Sequence, residues 1–197
     1  DIEIDIINNS TNFYLRFDGK KEKFFINGAS RHSPLNAALS VAAAIYCGCP
    51  LSNIKKRLKF IDLPERRLAI SNALRGSLLI DDSYNSNPAS LKNAVDSLEG
   101  LERKKVCILG DMKELGSDSQ KIHQEMYEYI SERVDHIFCI GDEWSTCSPN
   151  EKQDLSIFEN QDDLYSHLIS IIDKKTILLV KGSRSTRMDL LADKLKE

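Results

Sequence analysis

No apolar run in this chain approaches membrane-spanning length, and its first residues alternate acid and isoleucine, with neither a basic stretch nor an apolar signal core. A cytoplasmic protein with no membrane partner is therefore expected. An excess of basic charge is also lacking: 27 Lys and Arg face 30 Asp and Glu, for a net charge of -3. The signs are well mixed, which argues against a duplex nucleic-acid surface and against a polybasic anchor. The phosphate-loop pattern, a glycine, four residues and then Gly-Lys-Ser or Gly-Lys-Thr, occurs nowhere. No paired metal motif is present either, since Cys47-Gly-Cys49 has the wrong spacing for a zinc knuckle and no second half. The five cysteines are an odd number, and Cys107 and Cys139 lie inside apolar runs, so reduced structural thiols are expected. Internal repeats and low-complexity segments are absent.

What is there is a chain of 197 residues, 41% hydrophobic, enough for one medium domain or for a domain with a smaller companion. Residues 1–7 alternate apolar and polar. A second alternating stretch around Phe13 to Phe17 meets Asp18-Gly19 and resumes at Phe24, which predicts strands joined by a hairpin. Ser33-Pro34 opens an alanine-rich helix to about Tyr46, stopped by Gly48, and a short helix follows from Leu51 to Leu58. Leu63-Pro64 reads as a joint, dividing the chain into residues 1–63 and 64–197.

Beyond the joint, apolar strands at Leu78, Val106 to Leu109, His136 to Ile140, near Ile157 and at Thr176 to Val180 alternate with helices from Pro88, Ser119, Asp162 and at the C-terminus. Continuous apolar strands alternating with helices predict an α/β fold, a Rossmann-like and mostly parallel sheet covered on both faces. In such sheets ligands gather at the carboxyl ends of the strands. Three loops there carry chemistry: Asp81-Asp82-Ser83-Tyr84-Asn85, then residues 110–116 (GDMKELG), then Lys181-Gly182-Ser183-Arg184-Ser185. Asn87 and Pro88 are explained as the cap and first position of a helix.

The third loop has a glycine for close backbone approach, a following helix N-terminus, and Lys181, Arg184 and two hydroxyls as donors, which suits a carboxylate or phosphate. A solvated strand-to-helix turn is the plain alternative. In the second loop Asp111 and Glu114 suit a metal or a cationic group, although acidic loops are more often solvated. His123 on the next helix is more often a packed residue than a catalyst. Near the first helix, Asn36 is placed either to read an adenine edge or to cap, and His32 precedes it by four residues.

Taken in order, "GASRHSPLNAALSVAAA", "RRL", "LIDDSYNSNPASLKNAVDSL", "VCILGDMKELGSDSQKIH" and "ILLVKGSRSTRM" resemble the C-terminal part of the Mur ligases. The loops are most similar to those of the branch of that family that adds D-Ala-D-Ala. The resemblance runs from Gly28 to Met188. It implies that residues 1–63 end a central ATP-binding domain and residues 64–197 form the C-terminal domain. The UDP-binding domain, the phosphate loop and most metal ligands would lie outside this chain, so the chain alone would not complete the reaction. Asp1, which enters mid-strand without a methionine, is not expected to be the natural start.

The activity implied is an ATP-dependent amide ligation of D-Ala-D-Ala to UDP-N-acetylmuramoyl-tripeptide through an acyl phosphate, for peptidoglycan precursor synthesis, with Mg²⁺ neutralising the charge that develops. By the same resemblance Asn36 meets the adenine, His32 is counted with it among the nucleotide-binding residues, Arg67 meets the phosphate or ribose side, and Asp82 accepts from ribose hydroxyls. Arg66 stands where the family usually has glycine, and Arg67 is matched because Leu68 follows it. Tyr84, Asn85 and Ser86 line the cleft between nucleotide and incoming amine, while Lys181, Ser183, Arg184 and Ser185 hold the dipeptide carboxylate. A monomer is expected. The competing readings are a non-catalytic α/β module that binds an anion or a protein, and a ligase of the same family with another amino-acid substrate.

Overall fold

The computed structural model of the chain describes residues 1–5, 10–17, 19–28, 33–61, 65–149 and 155–197. These form two compact units, Asp1–Ile70 and Ser71–Glu197. The expected joint at Leu63-Pro64 and the candidate His32 lie outside the described residues.

In the first unit β1 (Ile2–Asp5), β2 (Ser10–Phe17) and β3 (Lys20–Asn27) form an antiparallel sheet in that order. The Phe17 to Lys20 pairing closes the expected hairpin, with Gly19 at φ 79. Alternation along β2 and β3 sets Phe13 across from Phe24, their rings stacked at 5.3 Å. Two helices cover this face, α1 (Ser33–Tyr46) and α2 (Leu51–Leu58), contributing Val41, Ile54 and Leu58. Gly48, at φ 82, reverses the chain after α1, and the Cys47 and Cys49 amides return to the Ala43 and Ala44 carbonyls.

The second unit is built on a six-stranded sheet. Its strands are β4 (Ala69–Ala73), β5 (Ser77–Asp82), β6 (Lys104–Gly110), β7 (His136–Ile140), β8 (Leu155–Phe158) and β9 (Thr176–Lys181), in the order β4-β5-β9-β6-β7-β8. From β5 to β8 across the sheet every pairing is parallel. The helices are α3 (Pro88–Asp96), α4 (Ser119–Ser131), the single turn α5 (Asp142–Ser145), α6 (Gln161–Ile171) and α7 (Met188–Leu195). One face buries Leu79, Val106, Ile108, Leu178 and Val180 against Leu164 and Leu168 of α6 and Leu191 and Leu195 of α7. Intervening residues such as Ile80, Cys107 and Leu179 point to the opposite face, where α3 packs on α4. All six residues of β9 are buried, as expected of a central strand, and each fully buried Leu, Ile or Val there stabilises by about 1.5–3 kcal/mol.

The chain runs from β5 through α3 to β6, yet β9, the last strand in sequence, inserts between those two. The carboxyl ends of β5, β9 and β6 therefore stand side by side, which places the three expected loops along one edge at the point where strand order reverses. Asn87 caps α3: its Oδ1 accepts from the Ser90 amide at 2.8 Å, and Ser90 Oγ accepts from the Asn87 amide at 3.1 Å.

Candidate active site

Period-two alternation explains the most unusual side chain at this edge. Leu179 and Lys181 share one face of β9, Ile80 and Asp82 share the same face of β5, and Asp82 is the register partner of Lys181. Apolar strands thus end in a carboxylate and an ammonium set against each other. Lys181 is 1% exposed and Asp82 9%. Lys181 Nζ donates to Asp82 Oδ2 and, at 2.9 Å, to the Asn85 carbonyl. Burying two ions costs several kcal/mol each unless they are paired, so the pairing is compulsory here rather than a surplus of stability. A costly charged pair at the carboxyl edge of the sheet is a functional candidate.

Ser183, two residues on, joins the loops. Its amide donates to the Asp111 carbonyl at 3.0 Å, its Oγ accepts from the Lys113 amide at 2.8 Å, and the same hydroxyl approaches the Ser86 carbonyl at 3.5 Å. The close approach depends on Gly110 and Gly182, where an added Cβ would sit 2.5 Å from Thr186 Oγ1.

The second loop is anchored from beneath. Asp111, 2% exposed, pairs with Lys113 Nζ at 2.8 Å and accepts from the Trp144 amide at 3.3 Å. The Asp111 hydrogen bond holds the Lys113 ammonium above its usual range, against the burial that acts the other way. His123 is fully buried, accepting at Nε2 from the Met112 amide at 3.1 Å and facing the Ser119 carbonyl with Nδ1 at 2.8 Å. Those partners select the neutral tautomer with hydrogen on Nδ1. The ring packs edge-on against Trp144, whose Nε1 donates to the Gly110 carbonyl at 3.0 Å. His123 is therefore a packed residue that shapes the loop. Asp111 and Lys113 neutralise each other, and among the described residues no group of three or more His, Cys, Asp or Glu side chains forms a metal-ligand set.

The outer part of the third loop differs from the sequence expectation of a helix N-terminus offering its amides to an anion. A 3-10 turn, Arg184–Thr186, precedes α7, and the first turn of the helix already carries the buried carboxylate of Asp189. Arg184 approaches the Asp189 carboxylate at 3.5 Å, and Arg187 approaches the same carboxylate at 3.3 Å. Arg187 is left-handed at φ 51, and Gln161 Nε2 holds its carbonyl at 2.9 Å. Arg184 and Ser185 are exposed at the tip.

The structure thus brings Asp82, Asn85, Ser86, Lys181 and Ser183 into one cluster, with Tyr84 exposed beside it. Asp81 points to the other face and pairs with Lys196 at 3.0 Å; burial works against the Lys196 charge, but its bonds to Asp81 and Asp193 prevail and hold its pKa up. Asn36 and Arg67 belong to the first unit, both exposed. Arg66 has φ 60, the left-handed conformation for which glycine is the default, which gives a physical reason for glycine in the resembling family. The sequence did not reveal the Lys181 pairing or the role of Trp144; the charged end of an otherwise apolar β9 was the one signal available.

The family model described as "Mur ligase, glutamate ligase domain" matches residues 66–184. The chain belongs to the Mur ligase family. Its similarity to the UDP-N-acetylmuramoyl-tripeptide--D-alanyl-D-alanine ligase of Haemophilus influenzae is 32% identity over 173 residues, 84% of this chain and 37% of that Mur ligase. The crystal structure of MurF from Acinetobacter baumannii superimposes with a TM-score of 0.84 at 31% identity, over 98% of this chain and 44% of that one. MurF ligase from Thermotoga maritima in complex with ADP shares the fold, with a TM-score of 0.82 at 22% identity, over 94% of this chain and 43% of that one. The chain therefore spans less than half the length of the Mur ligases it matches.

Proposed function

We propose that the chain is part of an ATP-dependent amide ligase that joins D-Ala-D-Ala to UDP-N-acetylmuramoyl-tripeptide in the cytoplasm, as a monomer, with no nucleic-acid or membrane partner. Residues 1–63 are the end of its central ATP-binding domain and residues 64–197 its C-terminal domain. The reading draws on the family match and on relatives of that named activity. The observation that carries it is Asp82, a buried carboxylate held at the strand-order reversal with exposed Tyr84 and Asn85 next to it.

On this reading each part of the site has a chemical task. Asp82 accepts from the ribose hydroxyls of the nucleotide, which is ATP before ligation and ADP after it. Tyr84 and Asn85 line the approach of the amine, and Ser86 anchors that loop through its carbonyl. Arg184 and Ser185 meet the dipeptide carboxylate, for which a guanidinium fork supplies two parallel donors. Asn36 and Arg67 act toward the nucleotide. Mg²⁺ would neutralise phosphate charge, and the reading assigns it to residues beyond this chain.

The test is an assay of the full-length protein with ATP, UDP-N-acetylmuramoyl-tripeptide and D-Ala-D-Ala. ADP release that needs both substrates, with a product heavier by one dipeptide unit, supports the reading. Release without the dipeptide, or preference for a single amino acid, overturns it. Arg184→Ala should raise the KM for D-Ala-D-Ala about tenfold or more, the loss of one charge-assisted pair.

A further inference from the structure

We propose that Lys181 is a positioning residue for the nucleotide side of the site, fixing the Asp82 carboxylate as an ionised acceptor, and does not itself bind the dipeptide. The inference rests on the ligase reading above and deepens it.

Three observations point the same way. Lys181 is 1% exposed, so its ammonium has almost no surface to offer a ligand. Its Nζ donates to Asp82 Oδ2 and to the Asn85 carbonyl, which fixes a carboxylate and the backbone of the adjoining loop at once. The pairing is also a register pairing, Asp82 on β5 beside Lys181 on β9, so two rigid central strands set the geometry. The neighbouring acid, Asp81, points to the other face and has its own cation in Lys196. A ligand anion drawn to Lys181 would compete with Asp82 for a buried charge, whereas a hydroxyl that donates to the Asp82 carboxylate leaves the pair intact.

An ionised Asp82 accepts hydrogen bonds at both oxygens. Without its counter-charge, a carboxylate this buried binds a proton more readily and becomes in part a donor. Lys181 therefore keeps Asp82 an acceptor, acting through Asp82 on the nucleotide.

The test uses the full-length protein and reads ADP binding by calorimetry together with ligase kinetics, from pH 6 to pH 9. Lys181→Met should weaken ADP binding and raise the KM for ATP about tenfold at pH 7, while the KM for D-Ala-D-Ala stays within twofold. The loss should shrink as pH rises, because the orphaned carboxylate ionises. Asp82→Asn should show the same loss with no recovery at high pH, and the double variant should be no worse than Asp82→Asn alone. A raised KM for the dipeptide with unchanged ADP binding overturns the proposal, as does an ADP affinity equal to wild type. Losses that multiply in the double variant do so too. Lys181→Arg keeps the charge and shifts its position; it should weaken ADP binding with a flat pH profile, and it decides the matter if Lys181→Met does not fold. Wild-type protein that binds ADP yet does not ligate D-Ala-D-Ala refutes the ligase reading alone, since ADP binding still reports on Lys181.

Discussion

Gly141→Ala should be among the most damaging single-methyl changes in the second unit. Gly141 has φ 131 and ψ 157, a region open in practice to glycine alone, and forcing alanine there costs about 1–3 kcal/mol. A Cβ would also lie 2.5 Å from Asp111 Oδ2 and nearer still to the rest of that carboxylate, where real Cβ atoms keep at least 3.0 Å. The carboxylate is buried and accepts from the Trp144 amide, so displacing it removes a charge-assisted bond at a further cost of about 1.5–3 kcal/mol. The two terms give about 2.5–6 kcal/mol, a large part of the roughly 5–15 kcal/mol that holds a domain together. Gly100→Ala is the control: it also sits at positive φ, 76, but an added Cβ meets nothing within 4 Å, so about 1–2 kcal/mol is expected. The assay is guanidinium unfolding followed by the fluorescence of Trp144, the chain's single tryptophan, which is fully buried and so reports on the second unit. If Gly141→Ala unfolds within about 1 kcal/mol of Gly100→Ala, the account of the Asp111 anchor is wrong.

The same tryptophan reads two milder changes. Asn87→Ala removes one half of the α3 capping box and should cost about 1 kcal/mol; a change under a few tenths would mean the cap is not used in solution. His136 has its pKa lowered by burial and by the charge of Lys104, so the folded state resists its protonation. That contribution to stability is present above the unfolded pKa of about 6.5 and is lost as pH falls through the lower folded value. Stability of His136→Gln relative to wild type should therefore improve between pH 7.5 and pH 5.5, and a constant difference would refute it. The cysteines are tested by a thiol reagent: Cys47 and Cys49 are exposed, while burial pushes Cys107 up to about 12, Cys147 to about 11 and Cys139 well above its usual value. Two of the five thiols should react in the folded chain and all five after denaturation.

Local chemistry made much of this fold legible. The turn at Gly19, the cap at Asn87 and the stop at Gly48 each follow from a residue that suits one backbone conformation, and β5, β6, β7 and β9 of the second unit follow from unbroken apolar runs. The loops at the carboxyl edge were legible too, because strand ends can be read from where such runs stop. What local pattern does not carry is register between strands distant in sequence. Lys181 and Asp82 are 99 residues apart, and nothing around either residue says that β9 enters between β5 and β6. The donors of the third loop therefore read as one anion site, whereas the fold divides them: Lys181 and Ser183 turn inward to hold the loops, and Arg184 and Ser185 stay at the tip. Gly141 was silent for the same reason, since its need for a missing side chain comes from Asp111, 30 residues earlier.

The measurement that tests the account most directly is a crystal structure of the full-length protein with ADP bound. The account predicts a ribose hydroxyl within hydrogen-bond distance of an Asp82 oxygen, Lys181 still paired to that carboxylate, and Arg184 away from the nucleotide. ADP bound with Asp82 remote from the ribose, or with Lys181 turned from Asp82 to a phosphate, would contradict it.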